Sequence, residues 1–247
     1  MSVLRRSALA LARPRPYLLG NVAEQTLPRS PEFVVQMGVR TYAGRATPKS
    51  LRTRARILNA AMRLFAELGY HEATNPRIAQ AASLTRGAML YHFASREELV
   101  EAAVQHIDLA RAALFESAAR TSAAPGQDAS EAAIDAYWAL LHEPAFVAFA
   151  ELESAARTDP MLRTRLVAAQ SAFDRAQVGE RFAGLAQAGA DPRFQTSRDL
   201  GRFLLEGIAR GAMTYDQPAR RQRLLAVVKR AVRMLNRKGG VHDLWVD

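Results

Sequence analysis

Apolar residues recur with a helical period along most of the chain from Ser50 onward. Ile57, Ala61, Leu64, Phe65 and Leu68 fall at i, i+4, i+7, i+8 and i+11, one face of a helix with 3.6 residues per turn. Gly69 follows and marks the end of that helix. Thr74 suits the N-cap of a short second helix, and Pro76 falls in its first turn, where a missing N–H costs little. Ile78, Ala79 and Ala82 are its inward side, and Ser83 and Leu84 make a turn. Thr85 can cap a third helix running to about His92, with Leu84, Met89 and Phe93 on the side that packs against the first helix. Ser95 and Glu98 stand at capping-box spacing for a fourth helix that reaches about Arg120.

The stretch TSAAPGQDAS, 121–130, reads as a loop. Further helices are expected over about 129–142, 144–157, 160–188, 196–214 and 218–237, with Asp159 as an N-cap and Pro144, Pro160, Pro192 and Pro218 each near a start. No alternating strand pattern of useful length and no internal repeat occurs. The fold class predicted is all-α: a three-helix helix-turn-helix domain followed by a C-terminal helical bundle. Residues 1–48 lack a lasting period and scatter Pro, Gly and Arg through short apolar runs. They are expected to be a disordered basic arm or residues upstream of the true start, with Met37 available. An arm that helps bind DNA and a targeting segment are the alternatives. The division expected is an arm over 1–48, a helix-turn-helix domain over 49–96, a bundle over 97–238 and a tail over 239–247.

Charge changes this picture by its placement. The formal net charge is +10, but residues 1–48 contribute +5, residues 49–96 contribute +6 and the remainder −1. A basic first part suits a polyanion, and a near-neutral bundle does not. The absence of cysteine excludes disulfides and thiolate chemistry and fits a reducing, cytoplasmic interior. No apolar run approaches the ~18 residues of a membrane-spanning helix, so no membrane partner is expected. His71, His92, His106, His142 and His242 are scattered, and neither a metal-spaced pair, a Gly-rich phosphate loop nor a G-x-S-x-G elbow is present. No enzyme activity, metal or cofactor is expected.

The chemistry that stands out is SLTRGAMLYHFASREEL, Ser83–Leu99, inside the basic block. A helix-turn-helix lays its second helix in the major groove and reads base edges from that helix's start. Gly87 and Ala88 leave room for close approach, and Arg86 can donate two hydrogen bonds to guanine O6 and N7. Thr85 suits a phosphate or a thymine methyl, and Tyr91 and His92 end the helix with groups that can reach phosphate or base. For each of these the ordinary alternative is a solvated surface group, or for Tyr91 core and for His92 a C-terminal cap. Arg52, Arg54 and Arg56 are either a solvated face or close to the DNA backbone.

Residues 52–99 resemble the DNA-binding domain of the TetR family of transcriptional regulators through RILNAAMRLFAELGY, RIAQAASLTRGAMLYHF and SREELV, in that order and spacing. The resemblance implies a small N-terminal DNA-binding domain and a larger helical domain that binds a small molecule and dimerises. By position it implies DNA contacts from Thr74, Asn75, Thr85, Arg86, Gly87, Ala88, Tyr91 and His92, with Arg96 gripping phosphate at the start of the fourth helix. Two positions depart from the family pattern: Ser83 stands where Gly is usual, and Leu90 where a Tyr is frequent.

In the bundle, Tyr137, Trp138, Phe146, Phe149, Phe173 and Phe182 are ordinary core or the lining of an effector pocket; the first five are the candidate pocket residues. The resemblance implies that the last two helices form a dimer interface, for which Leu204, Leu205, Ile208, Leu224, Val228 and Leu235 are the candidates. The function expected is a ligand-responsive DNA-binding transcriptional regulator, a repressor by family habit, acting as a homodimer on a palindromic double-stranded operator with an unidentified small-molecule effector. The alternatives are a sequence-indifferent nucleic-acid-binding protein using the basic block, and a ligand-binding protein with a vestigial DNA domain.

Overall fold

Thr47 starts the first helix: its Oγ1 accepts a hydrogen bond from the Ser50 N–H at 3.2 Å, and Pro48 takes the first turn. The computed structural model describes residues 47–120, 128–178 and 192–235. Among them are α1 (Pro48–Glu72), α2 (Asn75–Ala81), α3 (Arg86–His92), α4 (Arg96–Arg120), α5 (Ala129–Leu140), α6 (Pro144–Ala156), α7 (Pro160–Val178), α8 (Pro192–Thr214) and α9 (Pro218–Leu235), and no strand. The all-α prediction holds. The readings of residues 1–46, of most of the 121–130 loop, of Phe182 and of the tail lie outside the described residues.

Local chemistry sets the boundaries. Gly69 has φ 78 and ψ 169 and breaks regular helical geometry inside α1, a conformation that a Cβ would strain. Ser83 turns the chain between α2 and α3 at φ 53, the left-handed region where Gly is the usual occupant, at a cost of about 1–2 kcal/mol. Thr85 Oγ1 accepts from the Ala88 N–H at 3.1 Å and caps α3. Ser95 Oγ accepts from the Glu98 N–H at 3.1 Å, while Glu98 Oε2 accepts from the Ala94 N–H at 2.9 Å. The box expected at the start of α4 therefore forms, with the glutamate reaching one residue further back. Asp159 Oδ1 accepts from the Leu162 N–H at 3.0 Å. Pro144, Pro160, Pro192 and Pro218 are each the first residue of their helix. Thr74 has N-cap backbone geometry, but its hydroxyl makes no cap bond.

Two buried clusters hold the helices. The first joins Ile57, Phe65, Ile78, Met89, Phe93, Leu99 and Ile107 to Phe149, Leu152, Leu162 and Leu166. It packs α1 to α4 against α6 and α7, and so runs across position 96, where the sequence suggested that one domain ends. Leu68, expected on the inner face, is 44% exposed. The second cluster joins Ile134, Leu140, Phe146, Phe173, Leu205, Ala209 and Val228, with Phe115, Tyr137 and Trp138 packed on it. It holds α5, α8 and α9 to the distal half of α4. Among the described residues, no helix is long and apolar enough to cross a membrane.

Candidate nucleic-acid interface and ligand cavity

The third helix has two unlike faces. Met89 and, at its C-cap, Phe93 are fully buried. Thr85, Arg86, Gly87, Ala88, Leu90 and Tyr91 are exposed, Tyr91 at 82%. A Cβ built on Gly87 meets nothing within 4 Å, so the protein itself does not require a glycine there. The apolar pair fixes the helix on the first core, and the polar face points away from it.

Arginines around α3 hold it in place. Arg54 of α1 donates from Nη1 to the His92 carbonyl at 2.7 Å and lies 3.9 Å over the Phe93 ring. It thus binds the C-terminal end of α3 to α1, which favours the structural reading of this residue. Arg52 and Arg56 stay exposed. His92 is half-buried against Tyr91; burial and the Arg54 charge hold its pKa below the usual imidazole value.

Arg96, expected to grip phosphate, is committed inward. Its Nη1 donates to the Ala73 carbonyl at 2.6 Å and to Asn75 Oδ1 at 3.3 Å, and its Nη2 donates to the Tyr70 carbonyl at 3.0 Å. The guanidinium also lies 5.1 Å from the Tyr70 ring centre. These bonds consume the orphan carbonyls where α1 ends, so Arg96 ties the start of α4 to the α1–α2 turn. Asn75, another expected DNA contact, is partly engaged in the same clamp. Thr74 is exposed beside them.

The bundle contains a cavity of about 40 Å³ lined by residues of α4, α6, α7 and α8, with Leu141 at the end of α5. Of the five pocket candidates, Phe146 and Phe149 line it, while Tyr137, Trp138 and Phe173 do not. Tyr137 instead spends its hydroxyl on Glu206 Oε1 at 2.8 Å. Burial and the neighbouring Glu206 charge push its pKa above the usual phenol range. Trp138 packs on His142, and Phe173 sits against Phe115, Phe146 and the Arg111 guanidinium.

Sequence reasoning missed the polar side of this cavity. Arg111, Glu153, Gln170, Arg202, Glu206 and Arg210 all line it. A chain of hydrogen bonds crosses four helices: Arg111 Nη2 to Gln170 Oε1 (3.1 Å), Gln170 Nε2 to Asp174 Oδ1 (2.7 Å), Arg202 to Asp174 (2.7 Å) and Glu206 (2.9 Å), and Tyr137 to Glu206. One signal was available. Arg111 stands at i+4 from Ile107, in register with the buried side of α4.

The dimer candidates divide. Leu205 and Val228 are buried within the subunit at 2% and 4% exposure, and Ile208 packs against the same cluster. Leu235 is half-buried, and only Leu204 and Leu224 face outward. The exposed apolar surface is instead Leu200, Phe203, Leu204, Leu224, Val227 and Met234. On α8 it continues over Gly207 and Gly211, at i+7 and i+11 from Leu200, where a Cβ would meet nothing within 4 Å. Sequence periodicity chose the neighbouring, inward face because both faces of these helices are apolar.

Residues 57–103 match the family described as "Bacterial regulatory proteins, tetR family". The HTH-type transcriptional regulator UidR of Escherichia coli (strain K12) is 40% identical over 52 residues, 21% of this chain and 26% of UidR. The HTH-type transcriptional repressor AcnR of Corynebacterium glutamicum is 32% identical over 135 residues, 53% of this chain and 65% of AcnR. The chain thus spans less than two thirds of the length of either relative. A solved structure of a TetR-family member from Streptomyces coelicolor A3 superposes with a TM-score of 0.52 at 25% identity, covering 72% of this chain and 97% of that one. Helix-turn-helix sequence, relatives and fold agree: residues 57–103 carry the DNA-binding domain of the tetR family of bacterial regulatory proteins, and the rest of the chain is similar in fold to a solved member of that family.

Proposed function

We propose that this protein is a DNA-binding transcriptional regulator that recognises a palindromic operator as a homodimer and releases it when a small molecule occupies the bundle cavity. The observation that carries the reading is the division of α3, with Met89 and Phe93 buried and Thr85, Arg86, Gly87, Ala88 and Tyr91 exposed. A helix held this way can enter the major groove, with Arg86 on guanine and Thr85 and Tyr91 on backbone or base. Thr74, Asn75, His92 and Arg96 flank that face; Arg96 acts there by holding the α1–α2 turn rather than by taking phosphate. Repression is the favoured output because AcnR, the longer of the two matches, is named a repressor.

Homodimerisation is assigned to the exposed face of α8 and α9, with Phe203, Val227 and Met234 at its centre. A symmetric pair would present two α3 helices about one turn of DNA apart, roughly 34–36 Å. Coupling would run along α4, whose Arg96 clamps the DNA-binding helices and whose Arg111 lines the cavity. Fifteen residues separate the two, about 22 Å of continuous helix. A ligand that favours one tilt of α4 would change the separation of the two α3 helices and so weaken the DNA complex.

The test is selection of bound duplexes from a fragment pool at fixed salt, followed by footprinting. The expected product is one inverted-repeat sequence held about 10³-fold or more over random DNA. Equal affinity for all duplexes with a steep salt dependence would mean a sequence-indifferent charge binder instead.

A further inference from the structure

We propose that the cavity around Arg111 binds a small monocarboxylate, whose oxygens accept hydrogen bonds from the Arg111 guanidinium while its apolar body lies along Phe146 and Phe149. The inference rests on the reading of the chain as a ligand-responsive regulator and names the ligand class. Arg111 is 3% exposed, yet its Nε and Nη1 donate no hydrogen bond in the structure. Buried donors are ordinarily satisfied, and a guanidinium is the most costly of them to leave unmatched.

The other arginines of the cavity show what a matched one looks like. Arg202 donates to Asp174 at 2.7 Å and to Glu206 at 2.9 Å, and Arg210 donates to Glu153 at 2.8 Å. Arg111 donates from Nη2 to the neutral Gln170 at 3.1 Å, and the carboxylate beside it is Asp108, with Nη1 3.9 Å from Oδ1, too far for a hydrogen bond; that Oδ1 is itself unmatched. Burial holds the Asp108 carboxyl above its usual pKa.

The surroundings favour a planar anion. Phe149 and Phe173 lie 3.7 and 4.1 Å from the guanidinium carbon. The two rings fix its plane and leave its edge as the place for a partner. A carboxylate matches that edge in shape and charge, which an ammonium or a neutral amide does not. The cavity, about 40 Å³, takes a head group of that size. Half-buried Val147, Ala150 and Met213 are in its lining, so a longer body can run toward solvent. Of the lining arginines, Arg202 is matched by Asp174 and Glu206 and Arg210 by Glu153, which leaves Arg111 as the cation without a hydrogen-bonded carboxylate. Asp108 and Asp174 stand behind it, and a dianion would meet too much like charge.

Calorimetric titration of the full chain with acetate, propionate and benzoate, each against its own amide, tests this. At least one acid is expected to bind ten-fold or more tightly than its amide. Arg111→Gln should bring that ratio to near one. Asp108→Asn, which removes the competing carboxylate, should tighten the acid several-fold, a gain that a damaged fold does not produce. The proposal is overturned if no acid outbinds its amide, if Arg111→Gln keeps the preference, or if Asp108→Asn fails to strengthen binding. The same acids added to the operator complex separate the two readings. Acid binding without operator release keeps the cavity assignment and removes the ligand-response reading; intact operator recognition with no acid preference removes the cavity assignment alone.

Discussion

The two buried clusters are built from different materials. The first, under α1 to α3, is almost wholly apolar; its fully buried large side chains include Ile57, Phe65, Ile78, Met89, Phe93 and Leu99. The second borders a polar chain in which Arg111, Gln170, Asp174, Arg202, Glu206 and Tyr137 bond to one another among aromatic rings. Apolar close packing gives one arrangement and penalises any shift, which suits a part that must present α3 at a fixed angle. A polar network can trade partners at small net cost when a ligand supplies equivalent bonds, which suits the responsive role proposed for the bundle. Helix α4 belongs to both. It carries Leu99 and Ile107 in the first core and Arg111 beside the second.

The largest expected effect breaks the rigid side of that comparison. Phe93 is fully buried, stacked under Arg54 at 3.9 Å, and forms the C-cap of α3. Phe93→Ala should cost about 3–5 kcal/mol of stability. Chemical denaturation checks this, and loss of sequence-specific DNA binding should appear before global unfolding. A loss below about 1 kcal/mol would mean that the first core relaxes around a cavity and is not the rigid part.

Arg86→Ala separates presentation from stability. The side chain is exposed. The expected outcome is an unchanged melting temperature together with a loss of about 1–3 kcal/mol in operator affinity, confined to one base position in each half-site. A uniform loss across all sequences would reassign Arg86 to phosphate.

Gly87→Ala is a finer version of the same test. No protein atom lies within 4 Å of a Cβ at this position. Alanine should therefore stabilise the isolated protein by up to about 0.5–1 kcal/mol through helix propensity. Operator affinity should fall nonetheless, because in the proposed complex the added methyl meets DNA. Stability and binding both rising, in thermal melts and gel shifts, would place the groove-facing line of α3 elsewhere.

What the sequence made legible was local. Caps such as Thr85 on Ala88 and Ser95 on Glu98 join residues three apart, so spacing alone reveals them. The four helix-starting prolines and the break at Gly69 are likewise properties of single residues. The exposed face of α3 follows from the register of Met89 and Phe93. What stayed hidden depends on partners remote in the chain. Arg96 is drawn inward by carbonyls at Tyr70 and Ala73, and Arg111 by Gln170, 59 positions on. Phe203 lies outside and Leu205 inside because α8 is apolar on both sides, and period alone does not say which side meets the subunit's own core.

The smallest expected effect concerns a buried polar group beside the first core. His106 of α4 is 9% exposed, and its Nε2 lies 2.8 Å from Asn59 Oδ1 of α1. That acceptor implies that Nε2 carries the proton of a neutral ring. Burial holds the His106 pKa below the ordinary imidazole value of about 6.5. Above that value both folded and unfolded chains carry it neutral, and the group adds no pH dependence. As pH falls from about 6.5 toward the lower folded value, the unfolded chain binds the proton first, so stability declines by at most about 1.4 kcal/mol per pH unit. His92 is shifted the same way and contributes a parallel slope. Half-buried Glu153 and Asp108, shifted upward, gain protons first in the folded state and oppose it. The informative quantity is therefore the difference between the native chain and His106→Gln, whose amide N–H can still serve Asn59. Melting temperatures from pH 8 to pH 5 should run together above about pH 6.5 and diverge below it, the variant losing less. Parallel curves throughout would mean that water reaches His106 and that the contact between α4 and α1 opens there, contrary to the rigid role assigned to the first core.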